Sequence, residues 1–484
     1  MSAVLSHAPA FPGGLEWFNV DAPVRLAEQR GKIVLLDFGS YCSIHCCHAL
    51  ADLQHLASRF RSDLVIIGVH VPRFRSELRR SHVRKSINRH TIAFPVIHDA
   101  EHKLKRLYGI RMLPTQVLID HAGYIVGSLS GDGKGERLEQ VIGSLLSRRA
   151  GKVGQAANSI RITPSPEQRG VLNFPGRIVA ARDRVYIADS GNHRILVTSG
   201  NGHVLRQYGG EGPGFLDGIG QSAAFSNPQG IAVNDEFLFV ADEGNHAIRR
   251  VNLRSDEVVT IAGTGKRGGP PAAAGGAPLA TALNSPTDVV FHKGSLFVAM
   301  AGAHQIWRLS LLHNRLEVLA GSGHEGLADG PPSTASFAQP TGLTVCDDML
   351  YTVDATASAV RCVDPSTGLV TTLVGEGLFS FGEQDGVGLA ARLQYPLDIK
   401  ADQSQNLLWV ADTYNNKIRR IGVKSRHVTS VLLDRRLDEP GGLAFSNNTL
   451  YIANTNAHEV LRLDPNNGRT EALNVTEEFT EIRS

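Results

Sequence analysis

The sequence has few cysteines, no long apolar run and almost no excess of charge, and each shortage excludes a class of protein. Its 484 residues include 5 cysteines, an odd number that does not build the disulfide framework of a small secreted protein. No uninterrupted apolar run approaches about 18 residues, so the sequence predicts no membrane-spanning helix. The formal net charge of +2 gives no electrostatic reason to expect binding to nucleic acid or to an anionic membrane.

Residues 1–12 lack the basic start and the apolar segment of a secretory signal, so we expect none. Together with cysteines that form no framework, this predicts a reducing, cytoplasmic setting. With 42% apolar and 20% charged residues, the chain has the composition of an ordinary globular protein. Its length exceeds what one hydrophobic core usually supports, so two domains are expected.

Three of the five cysteines lie within six residues, at Cys42, Cys46 and Cys47. An aliphatic run at 32–36 precedes them and a helical pattern at 49–60 follows, which predicts a strand that leads directly into a helix. At a helix N-terminus, unsatisfied N–H groups and the helix dipole favour a thiolate over a thiol. The cluster therefore favours redox or metal chemistry. The other interpretation, that the three cysteines are simply small buried side chains, is the weaker one.

Strand and helix patterns alternate through residues 1–150. The predicted strands or extended segments are 32–38, 64–69, 94–98, 116–120 and 124–130, and the predicted helices are 49–60, 76–89, 100–108 and 135–149. Such alternation is typical of an α/β domain whose mostly parallel sheet is covered on both faces.

The cysteine turn and the segment Leu113-Pro114-Thr115 together resemble the thioredoxin-like family. The resemblance implies that Pro114 is a cis proline lying against the active-site cysteines. It also implies that Asp37 is the buried acid that assists proton transfer at the second cysteine. The alternative for Pro114 is an ordinary loop proline. The alternative for Asp37 is a carboxylate at the end of a strand that is hydrogen-bonded to the backbone.

The chain departs from the thioredoxin pattern at Ser43, where the attacking cysteine would stand. A hydroxyl cannot replace a thiolate in disulfide exchange. Cys46 occupies the resolving position, and Cys42 lies one residue before the usual nucleophile. Four residues of helix span about 6 Å, within the Cα separation of about 4.4–6.8 Å of a disulfide. If Cys42 stays in an extended turn, only Cys46 and Cys47 remain, as a strained neighbouring pair.

Metal binding is an alternative that uses the same segment. Sulfur and imidazole ligands suited to copper(I) or zinc are present at Cys42, His45, Cys46, Cys47 and His48. The Cys-x-x-x-Cys spacing resembles that of Sco-type copper chaperones, whereas the spacing to His48 departs from haem attachment. The motifs assign no cofactor and no set of metal ligands.

Beyond a predicted connector at 151–165, the chain repeats about every 53 residues. Each repeat begins with a proline followed by Gly or Asp and then an aliphatic residue, and these prolines are Pro175, Pro228, Pro286, Pro340, Pro396 and Pro440. Each unit then has a strand that ends in an acid or its replacement, and a further strand. This periodicity predicts a six-bladed β-propeller at 166–484.

The segments Asp189 to Ile195, Asp242 to Arg250 and Asp412 to Arg420 resemble NHL repeats. We expect their aspartates to accept hydrogen bonds from backbone N–H groups at turns, without acting as ligands or catalysts. Cys346 and Cys362 lie in successive strands and are expected in the core. In the sequence pattern the last blade is one strand short, and residues 159–162 could supply that strand.

A thioredoxin-like domain followed by six NHL units resembles the NHL-repeat-containing protein 2 family over nearly the whole chain. That family typically has Cys-Cys-Ile-Asn-Cys where this sequence has Cys42-Ser43-Ile44-His45-Cys46, so the residue matching the thioredoxin nucleophile is lost. The resemblance implies the fold directly. It implies redox activity only if Cys42, one position before Ser43, can replace the lost nucleophile.

The leading hypothesis is a cytoplasmic thiol–disulfide oxidoreductase or thiol redox sensor. Cys42 or Cys46 would be the nucleophile, Cys46 or Cys47 would resolve the mixed disulfide, and Pro114 would present the partner. The propeller would bind a protein client, and a thioredoxin-type protein would donate electrons; no nucleic acid or membrane partner is expected. The alternatives are a redox-inactive scaffold for protein–protein interaction and a copper- or zinc-binding protein.

Overall fold

The computed structural model describes residues 6–149, 160–164, 170–269 and 275–477. The chain forms two compact units, Met1–Gln168 and Arg169–Ser484. Most of the predicted connector 151–165 lies outside the described residues, so the domain boundaries at 150 and 165 stay predictions. Within the described residues, no helix has the length and apolar character needed to cross a membrane.

The first unit is an α/β domain built on a six-stranded sheet. Its strands are β1 (Glu16–Phe18), β2 (Ile33–Gly39), β3 (Leu64–His70), β4 (Val96–His98), β5 (Thr115–Ile119) and β6 (Ile125–Ser130). They lie in the order β1-β4-β3-β2-β5-β6. Only β2–β3 and β3–β4 are parallel pairs, whereas β1–β4, β2–β5 and β5–β6 are antiparallel. The prediction of a mostly parallel sheet is therefore wrong. A short hairpin joins β5 to β6, and such a connection allows only antiparallel pairing, because parallel strands need a long crossover.

Helices cover both faces of this sheet. They are α1 (Ile44–Arg59), α2 (Arg80–Arg89), α3 (Lys103–Leu107) and α4 (Gly135–Arg149). Successive side chains of β2 point to opposite faces. Leu35 packs into the cluster that includes side chains of α1, α2 and α4, whereas Leu36 packs into the cluster that includes α3. The predicted covering of both faces is thus confirmed.

Two helix boundaries differ from the prediction and bear on the site. Helix α1 begins at Ile44, five residues before the predicted start, because Ser43 has an extended backbone (φ −89°, ψ 124°) and ends the turn. The predicted helix 76–89 is divided by Arg79, which is also extended, into a 3-10 turn at Ser76–Leu78 and α2. Cys46 and Cys47 consequently lie inside the first turn of α1.

The second unit is a six-bladed β-propeller, as predicted. The strands of blades 1 to 3 are β7 (Ile178–Ala181), β8 (Arg184–Asp189), β9 (Arg194–Ser199), β10 (Val204–Gly209), β11 (Gly218–Ile219), β12 (Pro228–Val233), β13 (Phe237–Asp242), β14 (Ala247–Asn252), β15 (Glu257–Ala262), β16 (Pro286–His292), β17 (Ser295–Met300), β18 (Gln305–Ser310) and β19 (Arg315–Ala320). Those of blades 4 to 6 are β20 (Pro340–Cys346), β21 (Met349–Asp354), β22 (Ala359–Val363), β23 (Val370–Val374), β24 (Gly386–Val387), β25 (Asp398–Asp402), β26 (Leu407–Asp412), β27 (Lys417–Gly422), β28 (His427–Ser430), β29 (Pro440–Ser446), β30 (Thr449–Asn454), β31 (Glu459–Leu463) and β32 (Thr470–Ala472). Blades 2 and 5 gain a fifth, two-residue strand, and the other four blades have four strands each.

The ring closes through residues that follow the last strand. Blade 6 already has four strands of its own, β29 to β32. Thr476 then pairs with the edge of blade 1, where its carbonyl accepts the Val204 N–H at 3.0 Å and its own N–H donates to Gly202 at 3.1 Å. The expectation of an extra strand from 159–162 is not met: Ser159 lies outside the described residues, and 160–162 belong to no strand.

Candidate functional site

Ser40 is the residue around which the cysteine turn is organised. It follows β2 directly, and its hydroxyl lies 3.1 Å from the Cys42 sulfur. Its backbone N–H donates a hydrogen bond to the Cys46 sulfur at 3.4 Å. The structure therefore brings Cys42 and Cys46 to the same residue from two sides. No disulfide joins any of the five cysteines, all of which lie in the described residues.

Cys42 and Cys46 are almost completely buried, with 1% and 2% of their surface exposed. Burial raises the pKa of Cys46 to about 12, and the nearby charge of Asp37 raises it further. Hydrogen bonds from Ser40 and Ser43 act in the opposite direction. Burial also raises the pKa of Cys42 well above its usual value, with a further contribution from Glu77. Desolvation thus outweighs the expected effect of the helix N-terminus, and both groups are thiols at neutral pH.

Cys47 has a different environment on the outer side of the same helical turn. It has intermediate exposure, and its thiol donates to the Tyr41 carbonyl at 3.7 Å. Its sulfur lies 3.8 Å from Nε2 of His90. Burial and the neighbouring Arg89 lower the pKa of His90 to about 4, so this imidazole is neutral at pH 7. Of the three clustered cysteines, Cys47 is the one a reagent reaches without a change of structure.

Asp37 lies beneath the turn as a buried carboxyl group on β2. Its Oδ1 accepts a hydrogen bond from the Gln116 side chain on β5 at 2.8 Å, and only 5% of its surface is exposed. Burial raises the pKa of Asp37 to about 6, against the opposing effect of the Gln116 bond. A Cβ placed on Gly39 would lie 3.6 Å from the Cys46 sulfur and 3.7 Å from Oδ2 of Asp37. The acid and the thiol therefore face the same point.

Pro114 lies at the same end of the sheet as the cysteine turn. Its peptide bond with Leu113 is cis, as the resemblance implies, and the residue is buried. In the β2–β5 pair Phe38 stands opposite Thr115, so the next position places Pro114 across from Gly39. The Pro114 carbonyl accepts a hydrogen bond from the Gly131 N–H at 2.9 Å.

Glu77 is a further member of the site that the sequence analysis did not single out. It is fully buried, and its carboxylate accepts the Ser40 hydroxyl at 2.6 Å. It also accepts the backbone N–H groups of Arg73 at 2.8 Å and Phe74 at 3.0 Å. A lone acid among the arginines that precede α2 was the only sequence signal. Glu77 links the cysteine turn to the 71–79 segment.

The five ligands of the metal alternative do not come together. Cys42 and Cys46 face Ser40, whereas the imidazoles of His45 and His48 face a different residue, Asp132. The ligand atoms of His45, His48 and Asp132 all lie within 4.8 Å of one another. Asp132 had no signal in the sequence, because it stands 84 positions from His48.

The aspartates at the ends of the second blade strands are structural, as expected. Asp412 is fully buried; its Oδ1 accepts the Gln394 N–H at 2.7 Å, and its Oδ2 accepts from Asn415 and Arg419, each at 2.8 Å. The equivalent acids that accept a backbone N–H in this way are Asp189, Asp242 and Asp354, and Asn454 does the same. The buried arginine partner was not predicted. These residues hold the blade corners together.

Charged side chains also join the inner strands of the propeller. Asp398 on β25 accepts the Leu443 N–H of blade 6 at 2.7 Å, and Arg177 of blade 1 lies 3.5 Å from it. Lys400 donates to both Asp398 at 3.0 Å and Asp288 at 3.3 Å. These charged groups connect blades 1, 3, 5 and 6, so the cluster joins the inner strands of the ring. Cys346 and Cys362 are buried in blade 4, as predicted.

Comparison with known proteins agrees with this architecture. A family model described as Thioredoxin-like matches residues 31–125, and one described as NHL repeat matches residues 172–197 and 225–250. Thiol-disulfide oxidoreductase ResA of Bacillus thuringiensis is 28% identical over 117 residues, which cover 24% of this chain and 65% of that protein. The two units therefore carry the two family signatures separately, and the propeller signature suggests protein interaction.

Two longer relatives match both units at once. Protein SUPPRESSOR OF QUENCHING 1, chloroplastic, of Arabidopsis thaliana is 33% identical over 506 residues, covering 96% of this chain and 47% of that protein. NHL repeat-containing protein 2 of Bos taurus is 36% identical over 512 residues, covering 94% of this chain and 70% of that protein. The match to the Bos taurus protein extends over most of both sequences. The chain belongs to the NHL repeat-containing protein 2 family.

Proposed function

We propose that the first unit performs thiol–disulfide exchange with Cys42 and Cys46 as its redox pair. The observation that carries this proposal is the convergence of both sulfurs on Ser40, at 3.1 and 3.4 Å. Asp37 faces Cys46 from below and can take its proton, because a carboxyl group with a pKa of about 6 is mostly ionised at neutral pH. Cys47 is the alternative second member of the pair.

The proposed reaction balances as an exchange between a dithiol and a disulfide. The Cys42 thiolate attacks a client disulfide; a Cys42–client bond forms, and one client sulfur leaves and takes up a proton. Cys46 passes its proton to Asp37 and attacks the Cys42 sulfur, which releases the second client thiolate. The client is reduced by two electrons, and a Cys42–Cys46 disulfide remains. A thioredoxin-type dithiol then returns two electrons and two protons.

The resting structure is closed, so the proposed exchange starts with a local opening. Cys42 is buried under the bond between Ser40 and Glu77, and neither it nor Cys46 is ionised. A thiol of this kind reacts slowly until the turn moves. The site is accordingly suited to sensing an oxidised partner, or to acting on a client that opens the turn, more than to rapid general reduction.

We assign the recruitment of the client to the propeller, since NHL-type propellers suggest protein binding. The proposed setting is reducing and cytoplasmic, because a dithiol without a structural disulfide framework persists there. The Arabidopsis relative is named as chloroplastic, so the interior of an organelle is the competing location for this chain.

Reduction of insulin disulfides by the full chain tests the proposal, with a thioredoxin-type electron donor in catalytic amounts. The variants are Cys42→Ser, Cys46→Ser and Cys47→Ser, and Cys362→Ser in the second unit is the matched control. We expect slow turnover in the parent protein and in the control, because the resting site is closed, with a loss of at least tenfold in Cys46→Ser and a similar loss in Cys42→Ser. A loss in Cys47→Ser, with Cys42→Ser unchanged, would transfer the pair to Cys46 and Cys47.

The second candidate function is a redox-inactive scaffold. The observation in its favour is the burial of both proposed redox sulfurs, with 2% exposure or less. A scaffold predicts no turnover in the parent protein and no change in client binding when Cys42 or Cys46 becomes serine. The insulin assay and a binding assay on the same variants therefore separate the two functions.

A further inference from the structure

The first turn of α1 carries two histidines that face one carboxylate. His45 and His48 stand three positions apart, which places them on the same side of a helix. Their Nδ1 atoms lie 3.3 and 2.8 Å from the same oxygen, Oδ2 of Asp132. The side chain of His48 is 6% exposed, and those of His45 and Asp132 are 28% and 25% exposed. The group is thus fixed on one side and open to water on the other.

The loop that supplies Asp132 is held in place by hydrogen bonds that backbone N–H groups donate at both of its ends. The Gly131 N–H donates to the Pro114 carbonyl at 2.9 Å, and the Gly135 N–H donates to Oδ2 of Asp52 on α1 at 3.3 Å. The aspartate therefore reaches the histidines from a loop attached to Pro114, directly before β5, and to α1. Such support from neighbouring groups is what a preorganised metal site needs.

We propose that His45, His48 and Asp132 bind a zinc ion. Two imidazole nitrogens and one carboxylate oxygen are a ligand set that zinc accepts, at about 2.0–2.2 Å from the metal, with water in the fourth position. The ligand atoms already lie within 4.8 Å of one another, so the three side chains can reach one ion without a change of backbone. The exposed side of His45 and Asp132 provides the entry path. A bound ion would take the place of the contacts that the two imidazoles now make with the carboxylate.

This site differs from the metal set that the sequence suggested, because it contains no sulfur. Cys42 and Cys46 both contact Ser40, which is in turn bonded to Glu77. Asp132, by contrast, lies against the histidines. A zinc ion bound there would join the first turn of α1 to the loop at 131–134. It would therefore restrain the helical turn that holds Cys46 and Cys47. The proposal goes beyond thiol–disulfide exchange and does not depend on it.

Isothermal titration of the reduced, metal-free full chain with Zn²⁺ tests the site. We expect one ion per chain and a loss of affinity of about 100-fold or more in His48→Ala and Asp132→Asn, since removing a ligand costs at least as much as removing its outer support. His55→Ala is the matched control, because His55 also lies on α1 beside a carboxylate, Glu139 at 3.6 Å. Affinity that is unchanged in Asp132→Asn, or lost equally in His55→Ala, would overturn the proposal.

A second measurement on the unsubstituted chain identifies the ligands even if a variant misfolds. Co²⁺ is added in place of zinc, and its absorption spectrum is recorded. Nitrogen and oxygen ligands give only the weak visible bands of the metal, whereas a thiolate ligand adds an intense near-ultraviolet charge-transfer band. We expect the first pattern. The intense band, abolished in Cys47→Ser, would assign the ion to sulfur and overturn the proposal.

Discussion

Ser40 donates a buried hydrogen bond of 2.6 Å to Glu77, a residue 37 positions further along the chain. This bond attaches the cysteine turn to the 71–79 segment, and Glu77 is fixed there by two backbone N–H groups. The same Ser40 hydroxyl contacts the Cys42 sulfur, so Glu77 is linked to Cys42 through Ser40. We therefore expect the reactivity of Cys42 to depend on a residue outside the cysteine motif.

Substitution Glu77→Gln should make Cys42 more reactive. The negative charge of Glu77 adds to the burial that raises the pKa of Cys42, so its removal lowers that pKa and weakens the hold on Ser40. We expect alkylation of Cys42 by iodoacetamide at pH 7.5 to accelerate about three- to tenfold, since one pKa unit is a tenfold change in thiolate. Pulse labelling and mass spectrometry measure the rate. Glu101→Gln, an exposed carboxylate, is the control, and an unchanged Cys42 rate would contradict the account.

Substitution Asp37→Asn should stabilise the first unit above pH 6. The folded-state pKa of Asp37 is raised from 3.8 to about 6, so between these values the folded chain holds a proton that the unfolded chain has lost. Stability therefore falls as pH rises through this window, by about 3 kcal/mol in all, and stays lower above pH 6. Asparagine has no charge to bury and keeps an oxygen for the Gln116 bond.

Hydrogen exchange of the β2 amides in the full chain measures this difference. The variant should be more protected than the parent protein at pH 7, and the two should converge at pH 4. Asp21→Asn, an exposed aspartate in the same unit, should match the parent at both pH values. Equal protection of Asp37→Asn and parent at pH 7 would show that Asp37 carries no such shift.

Substitution Ser43→Cys should raise disulfide reductase activity. Ser43 is partly exposed at the start of α1, and its side chain hydrogen-bonds to Cys46. A sulfur at this position would be accessible, would lie at the helix N-terminus and would contact Cys46, which restores the Cys-x-x-Cys arrangement. We expect insulin reduction to increase about tenfold or more. The double variant Ser43→Cys, Cys46→Ser should lose the gain, and a gain that survives in it would refute the role given to Cys46.

Substitution Arg419→Met should destabilise the propeller. The guanidinium donates to Asp412 at 2.8 Å and to Ser430 at 2.7 Å, and it also binds Asp385. Its loss leaves Asp412 buried without its ion-pair partner, which costs about 3–5 kcal/mol. Urea unfolding monitored by tryptophan fluorescence gives the value.

Arg420→Met is the matched control for Arg419→Met. Arg420 is the next residue on the same strand but is exposed, with its guanidinium 5.9 Å from the centre of the Trp409 ring. Its substitution should cost about 1 kcal/mol or less. Equal losses in the two variants would mean that the buried arginine network does not hold the blade.

The sequence was enough to predict the fold wherever the signals are local or repeated. Six recurrences of one strand-and-turn pattern predicted the propeller, and α4 has the bounds 135–149 that its apolar periodicity indicated. The parallel character of the first sheet was wrong, because strand pairing is a long-range property. β1, with only three residues, was not predicted at all: a strand that short has no measurable alternation.

Only candidate residues that a motif marks could be chosen from the sequence. Cys42, Cys46, Cys47, Asp37 and Pro114 were chosen from motifs, and the structure places the first four around one turn, with Pro114 at the same end of the sheet. Glu77 and Asp132 were missed because nothing local marks a residue that meets its partner across the fold. The burial that keeps the thiols protonated was missed for the same reason, since desolvation depends on packing from other elements.

The most direct test of the account is whether Cys42 and Cys46 form a disulfide. The full chain is equilibrated with glutathione redox buffers, quenched, alkylated and sequenced by tandem mass spectrometry. The account predicts that Cys42 and Cys46 become protected from alkylation together, with the loss of two hydrogens and no fragmentation between them, while Cys47 is alkylated. Alkylation of Cys42 in the oxidised protein, or the absence of a disulfide at every glutathione redox potential tested, would contradict this pairing.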